Sequence, residues 1–186
     1  MIKLETQRLC IRDPKLSDFD DWHRLLSNAQ TMYYLDDIKT HNKEESRQNL
    51  LTAVGEADNP TRTKYFLAME VRDTGAFVGS VGYTVRLDTP QGKVAELGYF
   101  ILPEFHGKGY TTEAVRAVLR FAFEENGVER IETGCFAENL ASERIMQKVG
   151  MIQEGFLAKF DWLDGQLRDR ILYRLLRDEW RALNDN

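Results

Sequence analysis

The segment Pro103-Glu104-Phe105-His106-Gly107-Lys108-Gly109-Tyr110-Thr111-Thr112-Glu113-Ala114 sets two glycines around a lysine at the start of a helical pattern. An apolar, strand-like run from Ala95 to Leu102 leads into it. A tight turn with few side chains exposes backbone N–H groups where a helix begins and the peptide dipoles converge. The chemistry this favours is the holding of an anion, a phosphate or pyrophosphate. A second concentration of functional side chains lies in the irregular stretch 31–42, where Tyr33, Tyr34, Asp36 and Asp37 cluster. A loop of this composition lines a site or is solvated surface.

The glycine turn does not match two common phosphate motifs. A Walker A loop needs glycine where Leu102 stands and Ser or Thr where Gly109 stands. A Rossmann fingerprint needs a third glycine where Thr112 stands.

Positioning these groups requires a scaffold, and its elements are readable. Leu9 to Arg12 reads as a short strand stopped by Asp13-Pro14, and Ser17 is placed to cap a helix carrying Phe19, Trp22, Leu25 and Leu26 on one face. Glu44 to Val54 reads as a more polar helix. Strands are expected over Tyr65–Val71, Phe77–Leu87 and Val94–Leu102, separated by Asp73-Thr74-Gly75 and Thr89-Pro90-Gln91-Gly92. The glycine turn then delivers a helix from Thr111 to Glu125, with Ala114, Val115, Val118, Leu119 and Ala122 at helical spacing and Asn126-Gly127 ending it. A strand over Ile131–Phe136, a helix over Ala141–Val149 and strands over Met151–Phe160 and Leu167–Leu175 complete the pattern. Asp164-Gly165 supplies the closing hairpin turn. Helices first, then strands interleaved with two helices, make an α/β (α+β) fold: a mixed sheet with helices packed on it.

The 186 residues suit one domain, 1–186, with a substantial core. Hydrophobic residues at 42% and charged residues at 30% fit neither a disordered nor a membrane chain. No apolar stretch is long enough to cross a bilayer, and Met1-Ile2-Lys3-Leu4-Glu5 lacks a signal-peptide core, so a cytoplasmic location is expected. Cys10 and Cys135 have no metal-type spacing and read as reduced core thiols; no metal is expected. A net charge of −5 argues against nucleic-acid binding and suits a cationic acceptor. No membrane partner is expected, and no apolar stripe chooses between monomer and homodimer.

Three stretches resemble the GCN5-related N-acetyltransferase (GNAT) superfamily, most closely its ribosomal-protein N-terminal acetyltransferase (RimJ/RimL-like) branch. The first runs from Ala95-Glu96-Leu97-Gly98-Tyr99 through Gly107-Lys108-Gly109-Tyr110-Thr111-Thr112-Glu113-Ala114. The second runs from Glu138-Asn139-Leu140-Ala141-Ser142 to Lys148-Val149-Gly150-Met151, and the third from Asp161-Trp162-Leu163-Asp164-Gly165 to Arg168-Asp169 and Leu172-Tyr173. With Leu4-Glu5-Thr6-Gln7-Arg8-Leu9 the resemblance covers nearly the whole chain. It implies the GNAT fold, a central mixed, mostly antiparallel, splayed β-sheet flanked by helices. It also implies acetyl transfer from acetyl-CoA to a primary amine by direct attack. The acceptor would be a protein N-terminal α-amine or a small-molecule amine.

The resemblance also assigns residues. The family's loop has the form Gln/Arg-x-x-Gly-x-Gly/Ala; here Gly109 matches, while His106 and Thr111 depart from the two outer positions. Backbone amides do most of this binding, Thr111 adds a hydroxyl that alanine would lack, and Lys108 stays near the phosphates as a screened charge. His106, Gly107, Lys108, Gly109, Tyr110 and Thr111 are thus expected to hold the CoA diphosphate. Tyr99, Phe100 and Ile101 are expected nearest the thioester, on a strand that splays from its neighbour. Asn139 is expected on the pantetheine arm, although it can also cap a helix.

Two carboxylates compete for the general-base role. Glu96 opens the strand at the position of the base in some relatives, and its plainer reading is a solvated strand-start glutamate. Asp161 precedes the hairpin, and its plainer reading is a surface turn residue. Many relatives protonate the leaving thiolate with a tyrosine where Met146 stands. The resemblance moves that role to Ser142, which can equally cap its helix. Tyr33, Tyr34, Glu96 and Trp162 would line the acceptor site, with burial in the hairpin core the alternative for Trp162. Met146 also keeps open a catalytically silent acyl-CoA-binding module.

Overall fold

The computed structural model describes residues 1–184. It divides into two compact units, Met1–Thr84 with Gly98–Val118, and Val85–Leu97 with the chain from Leu119 onward. The strands β4 (Phe77–Thr89) and β5 (Gly92–Ile101) run through both. The sheet has eight strands in the order β1-β2-β3-β4-β5-β6-β8-β7.

In the first unit β1 (Lys3–Glu5), β2 (Leu9–Arg12), β3 (Leu67–Val71) and the leading part of β4 follow one another antiparallel. Ile11 faces both Leu4 and Met69 in this ladder. Two helices accompany these strands, α1 (Phe19–Ser27) and α2 (Lys43–Ala57). Trp22, Leu25, Leu26, Met32, Leu50, Ala68, Phe77 and Leu102 form one buried cluster. Each large side chain taken out of water there contributes about 1.5–3 kcal/mol. Asn42 caps α2, its side chain accepting from Glu45 N at 2.9 Å. The expected cap at Ser17 is not formed: that residue lies inside a 3₁₀ turn, Leu16–Asp18, and the Asp18 carboxylate accepts from Lys15 N instead.

In the second unit β5 pairs in parallel with β6 (Val128–Phe136), from Lys93 opposite Val128 to Glu96 opposite Glu132, where the ladder ends. A parallel neighbour requires a crossover, which the helix α3 (Tyr110–Arg120) and the turn after it supply. That helix stops short of the expected Glu125, because 121–125 widen into one π turn closed by Asn126 N to Phe121 O at 3.1 Å. α4 (Leu140–Lys148) follows β6, and β7 (Ile152–Leu163) with β8 (Gln166–Leu176) forms the closing hairpin, antiparallel to each other and β8 antiparallel to β6. Two elements were not anticipated, the three-residue β1 and a last helix, α5 (Arg177–Asn184). The latter buries Trp180, whose ring lies 5.9 Å from that of Phe123.

Candidate active site

The glycine turn is built in the first unit. Leu102 N bonds Val78 O at 2.9 Å, holding the end of β5 to β4. A 3₁₀ turn over Pro103–Phe105 then uses the amides of Phe105 and His106, bonded to Leu102 O and Pro103 O at 3.0 Å each. Gly107 (φ 73°) and Gly109 (φ 79°) turn the chain through the left-handed region, where a Cβ is strained. Among the described residues, the next amide after His106 with a backbone partner is that of Glu113, 3.1 Å from Gly109 O. The N–H groups from Gly107 to Thr112 are therefore available at the start of α3. Lys108 is exposed, its Nζ 5.2 Å from the centre of the Phe105 ring. His106 is exposed, with Nε2 3.4 Å from Ile101 O, and Thr111 is 8% exposed.

Arg8, on the turn after β1, grips this loop. Its Nη1 donates to Lys108 O at 2.9 Å, its Nε to Glu113 Oε2 at 2.7 Å, and its own amide to Glu113 Oε1 at 2.8 Å. Thr6 Oγ1 donates to the same Glu113 oxygen at 2.6 Å, and the Arg8 guanidinium lies 4.7 Å over the Tyr110 ring. Burial works against the Glu113 carboxylate, but hydrogen bonds from Thr6 and Arg8, and the Arg8 charge, hold it below the usual carboxylate range. The role of Arg8 is not legible in the sequence, because nothing local in Leu4–Leu9 links it to Glu113.

Of the residues expected near the thioester, Phe100 packs against the buried cluster and stacks on Phe66 at 6.4 Å. The Ile101 carbonyl accepts from Thr31 Oγ1 at 3.1 Å, and Tyr99 is half-buried. Tyr33 and Tyr34 contact each other edge-on, centroids 4.7 Å apart, and Asp36 and Asp37 are exposed beside them.

The second unit carries the remaining candidates. Asn139 caps α4, its Oδ1 accepting from Ser142 N at 3.2 Å. Ser142 hydrogen-bonds the Cys135 thiol, which also lies 3.8 Å from Asn139 O. Burial pushes that thiol up to about 11, so it stays protonated and inert. Close by in sequence on α4, Glu143 and Gln147 both bond the buried Tyr173 hydroxyl, which donates to Glu143 Oε1 at 3.0 Å and accepts from Gln147 Nε2 at 3.2 Å.

Both base candidates differ from their expected settings. Glu96 does not open its strand; β5 begins at Gly92, and the Glu96 carboxylate pairs with Arg86. Asp161 is no turn residue, because β7 extends to Leu163; it stands opposite Arg168 and pairs with Arg170 at 2.5 Å. The two carboxylates are on β5 and β7, three strand spacings or about 14 Å apart across the sheet, and further apart along it, since Glu96 aligns through Glu132 and Arg174 with Ile152 while Asp161 stands opposite Arg168. One amine cannot use both at once. Trp162 is 69% exposed, which excludes burial in the hairpin core. Among the described residues no helix is long and apolar enough to cross a membrane, and no group of three or more His, Cys, Asp or Glu could hold a metal ion.

Residues 8–152 match the family described as the acetyltransferase (GNAT) domain. The uncharacterized N-acetyltransferase YnaD of Bacillus subtilis (strain 168) is 28% identical over 177 residues, 95% of this chain and 98% of that protein. In fold, the chain is similar to the ribosomal-protein-S5-alanine acetyltransferase of Vibrio fischeri, with a TM-score of 0.81 and 20% identity over 97% of this chain and 99% of that one. It is also similar to the spermidine N-acetyltransferase of Vibrio cholerae, solved with CoA and spermine, with a TM-score of 0.80 and 18% identity over 94% and 99% of the two chains. A glycine turn with open amides, an open and mostly antiparallel sheet, and a family match over most of the sequence agree: the chain belongs to the GNAT acetyltransferases and is an N-acetyltransferase.

Proposed function

We propose that this chain, as one GNAT domain over 1–186, transfers the acetyl group of acetyl-CoA directly to a primary amine. The observation that carries the reading is the row of open amides from Gly107 to Thr112 at the head of α3, which suits a diphosphate. The neutral amine attacks the thioester carbonyl carbon, the C–S bond breaks, and an amide and CoA thiol leave. The amine's proton goes to a carboxylate, Glu96 or Asp161, and the thiolate takes a proton from Ser142. Asn139 holds the pantetheine arm while capping α4, and Tyr33, Tyr34 and Trp162 are the side chains assigned to acceptor binding in this reading. A protein N-terminus has a pKa of about 7.7–8.0 and an alkyl amine about 10.4, so the need for a base is greater for the second.

Two proteins of similar fold supply the amines to try, one named for a ribosomal-protein alanine and one for spermidine. Thiol release from acetyl-CoA is to be followed with N-terminal peptides and with polyamines. In Glu96→Gln and Asp161→Asn variants, loss of the true base lowers kcat by about 10²–10⁴-fold with CoA affinity unchanged. Near wild-type turnover in both across pH removes the general-base step. One observation favours a second reading, a silent acyl-CoA-binding module: Met146 is fully buried where many relatives carry the tyrosine acid. Tight CoA binding with no acceptor-dependent thiol release would select it.

A further inference from the structure

We propose that Arg8 is a positioning residue for the diphosphate loop: it fixes the Lys108–Gly109 peptide so that its amide faces the ligand, and it cancels the Glu113 carboxylate. The inference rests on the reading of that loop as the diphosphate site. In a trans peptide the N–H points opposite to the C=O in one plane. Arg8 Nη1 holds Lys108 O at 2.9 Å, so the Gly109 N–H is directed to the other side. This plane turns about Lys108 ψ and Gly109 φ; Gly109, and Gly107 one residue earlier, take left-handed conformations, and without an anchor the plane would swivel.

The electrostatic half of the argument concerns Glu113. It stands in the first turn of α3, where the helix terminus attracts anions and a carboxylate competes with a phosphate. Arg8 meets that carboxylate through its side chain and its amide, and Thr6 adds a hydroxyl. The clip is neutral, which leaves the open amides as the local field. The guanidinium bonds carboxylate and carbonyl together while stacked on Tyr110. Lysine, a single nitrogen on a flexible stem, cannot reproduce that planar fork.

The test is calorimetric titration of CoA into the wild type and the Arg8→Gln, Arg8→Lys and Glu113→Gln variants, with melting temperatures measured alongside. Arg8→Gln and Arg8→Lys are expected to weaken CoA binding by about tenfold, the scale of one charge-assisted hydrogen bond. Glu113→Gln keeps the hold on Lys108 O and frees a positive charge. It binds CoA at least as tightly as the wild type, although it loses an ion pair and melts lower. A clip that only stabilises the fold would lower affinity in step with melting temperature in all three variants. That parallel loss, or wild-type affinity in folded Arg8→Gln or Arg8→Lys, overturns the proposal. A wild type that does not bind CoA overturns the loop reading itself.

Discussion

Gly109→Ala tests the loop with one methyl group. The backbone there has φ 79°, a region in which a residue with a Cβ is disfavoured by about 1–2 kcal/mol. The added Cβ would lie 3.4 Å from Arg8 Nη2, an ordinary contact, so conformational strain and not collision sets the effect. If the loop keeps its shape, that strain lowers the melting temperature; for a chain of this size about 1 kcal/mol corresponds to 2–4 °C. If the loop relaxes instead, stability is retained but the Gly109 amide turns away. CoA affinity then falls by about tenfold, since a hydrogen bond to a charged group contributes roughly 1.5–3 kcal/mol. Gly107→Ala is the comparator, with φ 73° and nothing within 4 Å of the built Cβ. Differential scanning fluorimetry with and without CoA, together with calorimetric titration, measures both quantities. A Gly109→Ala protein with unchanged melting temperature and unchanged CoA affinity would refute the reasoning.

Other outcomes follow from the pKa directions. Glu113 is held below its unfolded value, so its contribution to stability is present above that value and is lost as pH falls through the folded one. Glu113→Gln should therefore flatten the fall of melting temperature in acid, below about pH 4.3; a slope identical to the wild type sinks this assignment. The buried Cys135 thiol, pushed up to about 11, should resist alkylation in the native protein at pH 8, while the half-buried Cys10 reacts first. Peptide mapping after iodoacetamide treatment checks the order, and rapid labelling of Cys135 would contradict its burial.

How far the sequence revealed this protein depended on the reach of each interaction. The glycine turn, the amphipathic α1 and the Asp164-Gly165 hairpin are written in neighbouring residues, and the structure places them as read. The Ser17 cap failed because a 3₁₀ turn inserted before α1 recruits the Asp18 carboxylate, a choice that spacing alone does not reveal. The last helix was hidden for a similar reason: Arg177–Asn184 is mostly polar, and only the meeting of Trp180 with Phe123 gives it a buried side.

The candidate site divides along the same line. Open amides follow from φ values that glycine makes accessible, so they were legible one residue at a time. Arg8 bonds Glu113 across 105 positions, and Asp161 is paired by Arg170, which belongs to the next strand. Such pairs decide what a carboxylate can do, yet neither partner looks unusual in its own neighbourhood. Glu96 and Asp161 looked like equal rivals because sequence gives type without surroundings. Their guanidinium partners and a separation of more than about 14 Å turn the rivalry into a choice between opposite ends of a four-strand span. Whichever carboxylate takes the proton must do so with an arginine already bound to it. Turnover should therefore change when that arginine alone is neutralised, Arg86→Gln for Glu96 or Arg170→Gln for Asp161. Unaltered turnover in both variants would place the base elsewhere.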